Sequence, residues 1–210
     1  GYAWQQFLVA NAMGNGSVAM VRRSCFDRVG LFDPSLSSAA DRDMWIRLAA
    51  EYPFAVVKQP LTLWLQHQDS MSKNRQQMLS DLRTALEKNF ATVPLELLHL
   101  RNQSYSYINM RQAWNSIDEQ NLAEAKHFQQ QARLHHLPCC YSLDYLRLSV
   151  TMLIVKWLGI TAGNQFRKSS KYIYRLSLRF SMQMRLLFAL LSKKKNPTSF
   201  PYNLKKIIRF

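Results

Sequence analysis

Ala40-Asp41-Arg42-Asp43-Met44-Trp45-Ile46-Arg47-Leu48-Ala49 is the stretch whose reading decides the fold. From Arg42 onward the apolar set Met44, Trp45, Leu48 and Ala49 recurs at helical spacing, and Tyr52-Pro53 ends the pattern. Two acids therefore stand at the mouth of an expected helix. The run from Ser37 to Asp41 offers several N-caps, and Asp43 and Arg47 lie four apart, where they can pair on one face.

Outward from this helix, the flanks read as an α/β layer. Upstream, Asn15-Gly16 is a turn signal, and the run Val18 to Val21 fits a buried strand closed by Arg22-Arg23. Ser24 is an N-cap candidate for a short helix through Phe26 and Val29, which Gly30 stops. Residues 1–14 suggest a short helix leading to Gly14. Downstream, Phe54-Ala55-Val56-Val57 and Leu61-Thr62-Leu63-Trp64-Leu65 are strand-like runs split by Gln59-Pro60 and ending near His67. Residues 1–75 are thus expected to form the α/β part of the chain.

The texture changes at Asn74. Gln76 to Phe90 reads as one helix, and Val93-Pro94 opens another. Ser104 to Ser116 and Leu122 to His136 form an expected helical hairpin, broken at Asp118-Glu119-Gln120-Asn121. Ala113, Ala125 and Ala132, with Pro138 beyond, sit close to the spacing of a tetratricopeptide repeat. One such unit cannot bury both faces alone, so residues 76–140 are either a lone degenerate repeat packed on its neighbours or an ordinary helix pair.

Residues 141–210 are expected to be a basic amphipathic helical tail. They carry 14 Lys and Arg against a single acid, whereas residues 1–75 and 76–140 are close to balanced. A block like this points to an anionic surface, either membrane or nucleic acid. The uninterrupted apolar run Leu148 to Val155 is far below the roughly 20 residues that span a bilayer. Lys171, Arg175 and Arg179 recur every four residues beside aromatic, Leu and Met positions, the pattern of a helix lying on a membrane. Lys193-Lys194-Lys195 and Lys205-Lys206 add cations for anionic lipid. Tyr172, Tyr174 and Phe180 could stack on bases, but the tail is too apolar for a phosphate-tracking segment, which disfavours nucleic acid.

Other totals exclude more than they assign. The apolar fraction of 48% is ordinary for a folded chain that buries a core. Three cysteines, two of them adjacent, make no disulfide framework and no Cys-X-X-Cys zinc spacing, so reduced thiols in a cytosolic setting are expected. Gly1 in place of an initiator Met suggests a fragment or processed product. No phosphate-binding glycine loop or nucleophile elbow is present.

Four blocks in order carry a more specific likeness. Asn15-Gly16-Ser17 through Arg22-Arg23, then Phe26 and Val29-Gly30-Leu31-Phe32-Asp33, then Asp41 to Ala49, then Pro60-Leu61 and His67-Gln68-Asp69-Ser70-Met71-Ser72 resemble the C-terminal half of a family 2 glycosyltransferase domain. The resemblance covers about 60 residues. It implies a partial GT-A fold, the acceptor-side half, followed by a helical C-terminal extension. In that family an acid of a Glu-Asp pair opening the long helix deprotonates the acceptor hydroxyl, which attacks the anomeric carbon with inversion. The matching position is Asp41, with Ala40 where the pair's Glu would stand.

The resemblance further implies a nucleotide-sugar donor, a polysaccharide or lipid-linked acceptor, and a divalent cation, Mn or Mg. The cation is mainly bound by a motif outside this sequence; Asp41-Arg42-Asp43 has the Asp-X-Asp pattern but lies too late in the order. His67 matches a late histidine that reaches the metal or diphosphate in related enzymes, and Asn15, Gly16, Ser17, Arg22 and Trp45 are the expected substrate-binding positions. The intact protein is expected to transfer a sugar on the cytoplasmic, inner face of a membrane, with this chain alone incomplete. The alternative is a non-catalytic helical module that binds a partner and an anionic membrane surface.

Overall fold

A computed structural model describes residues 1–14, 16–63 and 74–195, with the backbone alone over 173–195. In chain order its helices are α1 (Trp4–Val9), α2 (Arg23–Val29), α3 (Ala40–Glu51), α4 (Arg75–Phe90), α5 (Leu100–Asp118), α6 (Leu122–His135) and α7 (Leu143–Lys195). Short 3-10 turns sit at Gly16–Val18, Leu95–Leu97 and Leu137–Tyr141. The chain divides into two compact units, residues 1–145 and 146–210.

The α/β expectation for residues 1–75 is corrected. Among the described residues 71% are helical and none lies in a strand. The GT-A half, and with it the family 2 likeness, does not fit a strand-free architecture. The physical reason lies in what a strand requires. An apolar run becomes a strand only when a neighbour pairs its N–H and C=O groups, and the described parts of these runs have no such ladder. Gly16–Val18 is a 3-10 turn, and residues 19–22 continue without regular structure. Residues 53–63 are likewise irregular, with Val56, Val57, Leu61 and Leu63 all exposed. Phe54 exchanges backbone hydrogen bonds with Gly1 and sets its ring 4.7 Å from Phe7, which fixes one point of the segment without making a ladder.

Helix ends are set locally, though Ser24, expected to cap α2, lies inside it, and the N-cap is Arg22. Asn74 caps α4 by accepting from Gln77 N at 3.2 Å, and Asn121 caps α6 by accepting from Glu124 N at 3.1 Å. Gly30 ends α2 with φ of 80°, the left-handed conformation that glycine adopts without a Cβ penalty. The first unit buries Phe7 and Leu8 of α1, Met44, Trp45, Ile46 and Leu48 of α3, Leu86 and Phe90 of α4, and Ile108 of α5 in one core. The three alanines with repeat-like spacing, Ala113, Ala125 and Ala132, are fully buried, so the hairpin of α5 and α6 packs closely through small residues. Arg75 at the start of α4 pairs with Glu119 and Glu124, tying α4 to the turn between α5 and α6.

In the second unit, α7 is two antiparallel arms. Gly159 has non-helical angles, φ 85° and ψ 170°, and breaks the helix into 143–158 and 160–195. Arg147 Nε donates to Ser170 Oγ at 3.2 Å across the break. In one straight helix those residues would stand about 35 Å apart, so the chain must reverse at the glycine. Gly163 sits inside the crossing: a Cβ there would overlap Val155 Cγ2 and lie 3.7 Å from the Thr151 carbonyl. By length and composition Leu143–Tyr172 could cross a membrane. The reversal halves that reach, and no single straight span exists within it.

Candidate functional site at the mouth of α3

The loop that delivers α3 is held from α4. Asp81 accepts from Ser37 Oγ at 3.0 Å, Ser38 N at 2.7 Å and Gln77 Nε2 at 2.7 Å. These donors, the Ser38 N–H foremost, hold its carboxyl below the ordinary aspartate value. Because the serines serve Asp81, they do not cap α3. Its N-cap is Ala39, which offers no side-chain hydrogen bond, and in the first turn the carboxylate of Asp41 takes the Arg42 N–H instead.

Three charged residues follow in sequence and diverge in fate, since successive helix positions point about 100° apart. Asp43 is fully buried and saturated. It accepts from Arg47 Nε at 3.0 Å, Arg47 Nη2 at 2.7 Å and Asn89 Nδ2 at 2.9 Å, and Lys88 Nζ lies 3.6 Å away. The spacing of Asp43 and Arg47 anticipates their pair. Asn89 was not foreseeable, because it lies 46 residues away. Arg47 also donates to the carbonyls of Val29 and Leu31, the second at 2.9 Å, and so clamps the end of α2 onto α3.

Arg42 is buried, 2% exposed, and reaches the carbonyls of Leu8 and Val9 at 3.4 and 3.3 Å. Its Nε has no hydrogen-bond partner among the described residues. Burial lowers its pKa to about 10, against the opposing pull of Tyr107 and Asp41. Nothing in the sequence marked this arginine for the interior, because arginine is rarely buried unless paired with a carboxylate.

Asp41 is half-buried, and its Oδ1 accepts from Arg42 N at 2.7 Å, with the Asp41 N–H also bonded to the carboxylate. Burial raises its pKa above the ordinary aspartate value, outweighing the Arg42 backbone N–H and the Arg42 charge. Gly16 lies beside it, since a Cβ built at Gly16 would stand 3.9 Å from Asp41 Cβ. The structure thus brings together two of the expected positions, Asp41 and Gly16. Ser17 is exposed on the same 3-10 turn, and its carbonyl accepts from Thr62 Oγ1 at 3.4 Å. Arg22 is exposed at the N-cap of α2. Trp45 is 3% exposed, edge-on to Phe32 at 6.2 Å between ring centroids, with its Nε1 donor unpartnered among the described residues. Asn15 and His67 lie outside the described residues.

Among the described residues no three His, Cys, Asp or Glu side chains converge, and Asp43 is already committed to Arg47 and Asn89. A half-buried carboxylate with raised pKa at a helix mouth can take a proton from a hydroxyl placed against it. Comparison of the chain with protein-family models, curated proteins and solved structures finds no match.

Proposed function

We propose that Asp41 is the general base of a sugar-transferring enzyme, taking the proton of an acceptor hydroxyl as it attacks the anomeric carbon of a nucleotide-sugar. This reading sets aside the corrected fold likeness and rests on the surroundings of Asp41. Of the two acids at the α3 mouth, Asp43 is neutralised by Arg47, while Asp41 has no salt bridge among the described residues and a carboxylate whose basicity burial raises. That difference is the observation that carries the proposal. Donor diphosphate and any cation would be held by groups outside the described residues. A lipid-linked or polysaccharide acceptor suits a chain whose last 65 residues carry 14 Lys and Arg and no acid. The working place is the cytoplasmic, inner face of a membrane.

The test is Asp41→Asn in the full-length protein, with nucleoside diphosphate release measured from a panel of UDP-, GDP- and dTDP-sugars in the presence of membrane lipid. Loss of a positioned base costs on the order of 10² to 10⁴ in rate. Transfer at the wild-type rate by a folded Asp41→Asn protein would sink the assignment.

A second reading, a non-catalytic helical module on an anionic membrane, is favoured by the exposed apolar side chains of α7, Leu146, Leu153 and Trp157. Membrane binding without sugar transfer in the full-length wild type would select it.

A further inference from the structure

The outer face of the first α7 arm is apolar and uncovered. Leu146, Leu153 and Trp157 are 57%, 57% and 75% exposed, at spacing i, i+7 and i+11, which places them on one helical stripe. Thr151 and Gly163, both buried, mark the opposite side, where the second arm packs. Leu158, 72% exposed, continues the apolar surface to the reversal at Gly159. Such a stripe needs an occupant, because water is a poor solvent for it.

Charge identifies the occupant. Between 146 and 210 there are 14 Lys and Arg and no Asp or Glu, so the unit is repelled by a second copy of itself and attracted to anionic headgroups. Exposed Lys156 holds its ammonium 5.5 Å from the ring of Trp157, a cation and an amphipathic aromatic at one level, as residues do at a membrane interface. Depth follows from the same residues. Arg147 and Lys156 bracket about 14 Å of helix, less than half of the roughly 30 Å hydrocarbon core. With the chain reversing at Gly159, both arms return to the side they came from.

We infer that residues 146–172 form a hairpin that lies in the plane of an anionic bilayer interface and buries Leu146, Leu153 and Trp157 among the acyl chains just below the headgroups. This rests on the membrane part of the function proposed above and specifies the contact face and its depth.

The experiment uses the full chain with vesicles of phosphatidylcholine alone and with about a third phosphatidylglycerol. The variant Leu146→Ser, Leu153→Ser, Trp157→Ser alters exposed positions only, and its helical circular dichroism checks the fold. Wild type is expected to sediment with the anionic vesicles, and the variant to bind about tenfold more weakly or worse. Bromine shallow in the acyl chains should quench the fluorescence that Trp157→Phe removes more than bromine near the bilayer centre. Wild-type binding with an equally strong variant, or stronger quenching from the centre, would overturn the hairpin assignment and leave the membrane reading intact. Absence of wild-type binding to anionic vesicles would overturn both. Dimerisation of the wild type in solution that the variant abolishes would assign the stripe to self-association and also overturn it.

Discussion

Asp43→Asn is the sharpest test of how the first unit is held together. The substitution keeps the shape of a fully buried side chain while removing its charge and half of its accepting capacity. Arg47 would lose a bidentate partner now at 3.0 and 2.7 Å, and Asn89 would lose an acceptor at 2.9 Å. Removing one partner of a buried pair costs about 3–5 kcal/mol. Here the lower end applies. The Arg47 side chain is 22% exposed and keeps the carbonyls of Val29 and Leu31, and Asn89 keeps that of Ala85. We therefore expect a loss of about 3 kcal/mol, which at a urea m-value near 2 kcal/mol/M moves the midpoint down by about 1.5 M. Tryptophan fluorescence is a suitable probe, because Trp4, Trp45 and Trp114 all belong to the first unit. A midpoint within about 0.3 M of wild type would refute the account. So would strict additivity of Asp43→Asn with Arg47→Met, since contacting charges must couple.

Further outcomes follow from other sites. Asp41→Asn should raise the melting temperature at pH 7: burial raises the folded-state pKa, so stability falls as pH rises from the ordinary 3.8 through the folded value. That gain should vanish below about pH 4, and a lower melting temperature at pH 7 would make Asp41 structural instead. Gly163→Ala should destabilise the α7 hairpin by about 1–3 kcal/mol through overlap with Val155, and Val155→Ala should restore most of the loss; thermal unfolding of the single and double variants reads both. Tyr105→Phe removes the hydroxyl that donates to Glu87, whose carboxyl is pushed up by burial yet held below its ordinary value by Tyr105 and Arg101. In an NMR titration the Glu87 pKa should therefore rise in the variant, and an unchanged value would show that Arg101 alone sets it.

What could be read ahead of the structure was local. Gly30 announces the end of α2 because a cap is settled within four residues, and Asp43 with Arg47 is a one-turn relation, whereas the expected N-caps miss: α2 starts from Arg22 and not Ser24, and α3 from Ala39 without a side-chain cap. The misread segments were those whose fate depends on distant partners. Val18 to Val21 and the run from Phe54 have strand-like composition, yet composition cannot supply the second strand of a ladder. The partnership of Asp43 with Asn89, and the burial of Arg42 under the carbonyls of Leu8 and Val9, likewise join residues more than 30 apart. In the tail the helical backbone was legible, but the reversal was not, because a lone glycine inside a helical pattern is usually tolerated. The angles of Gly159, the contact of Gly163 with Val155 and the bond from Arg147 to Ser170 show it.

The clamp that Arg47 places on the carbonyls of Val29 and Leu31 makes α2 a dependent element. Seven residues are too few for a helix to persist by itself in water. Opening α2 would therefore release Arg47, unbalance Asp43 and loosen the start of α3, so these segments form one exchange unit whose amides gain and lose protection together. The carboxylate at Asp41 rides on that unit, and its environment is only as persistent as α2.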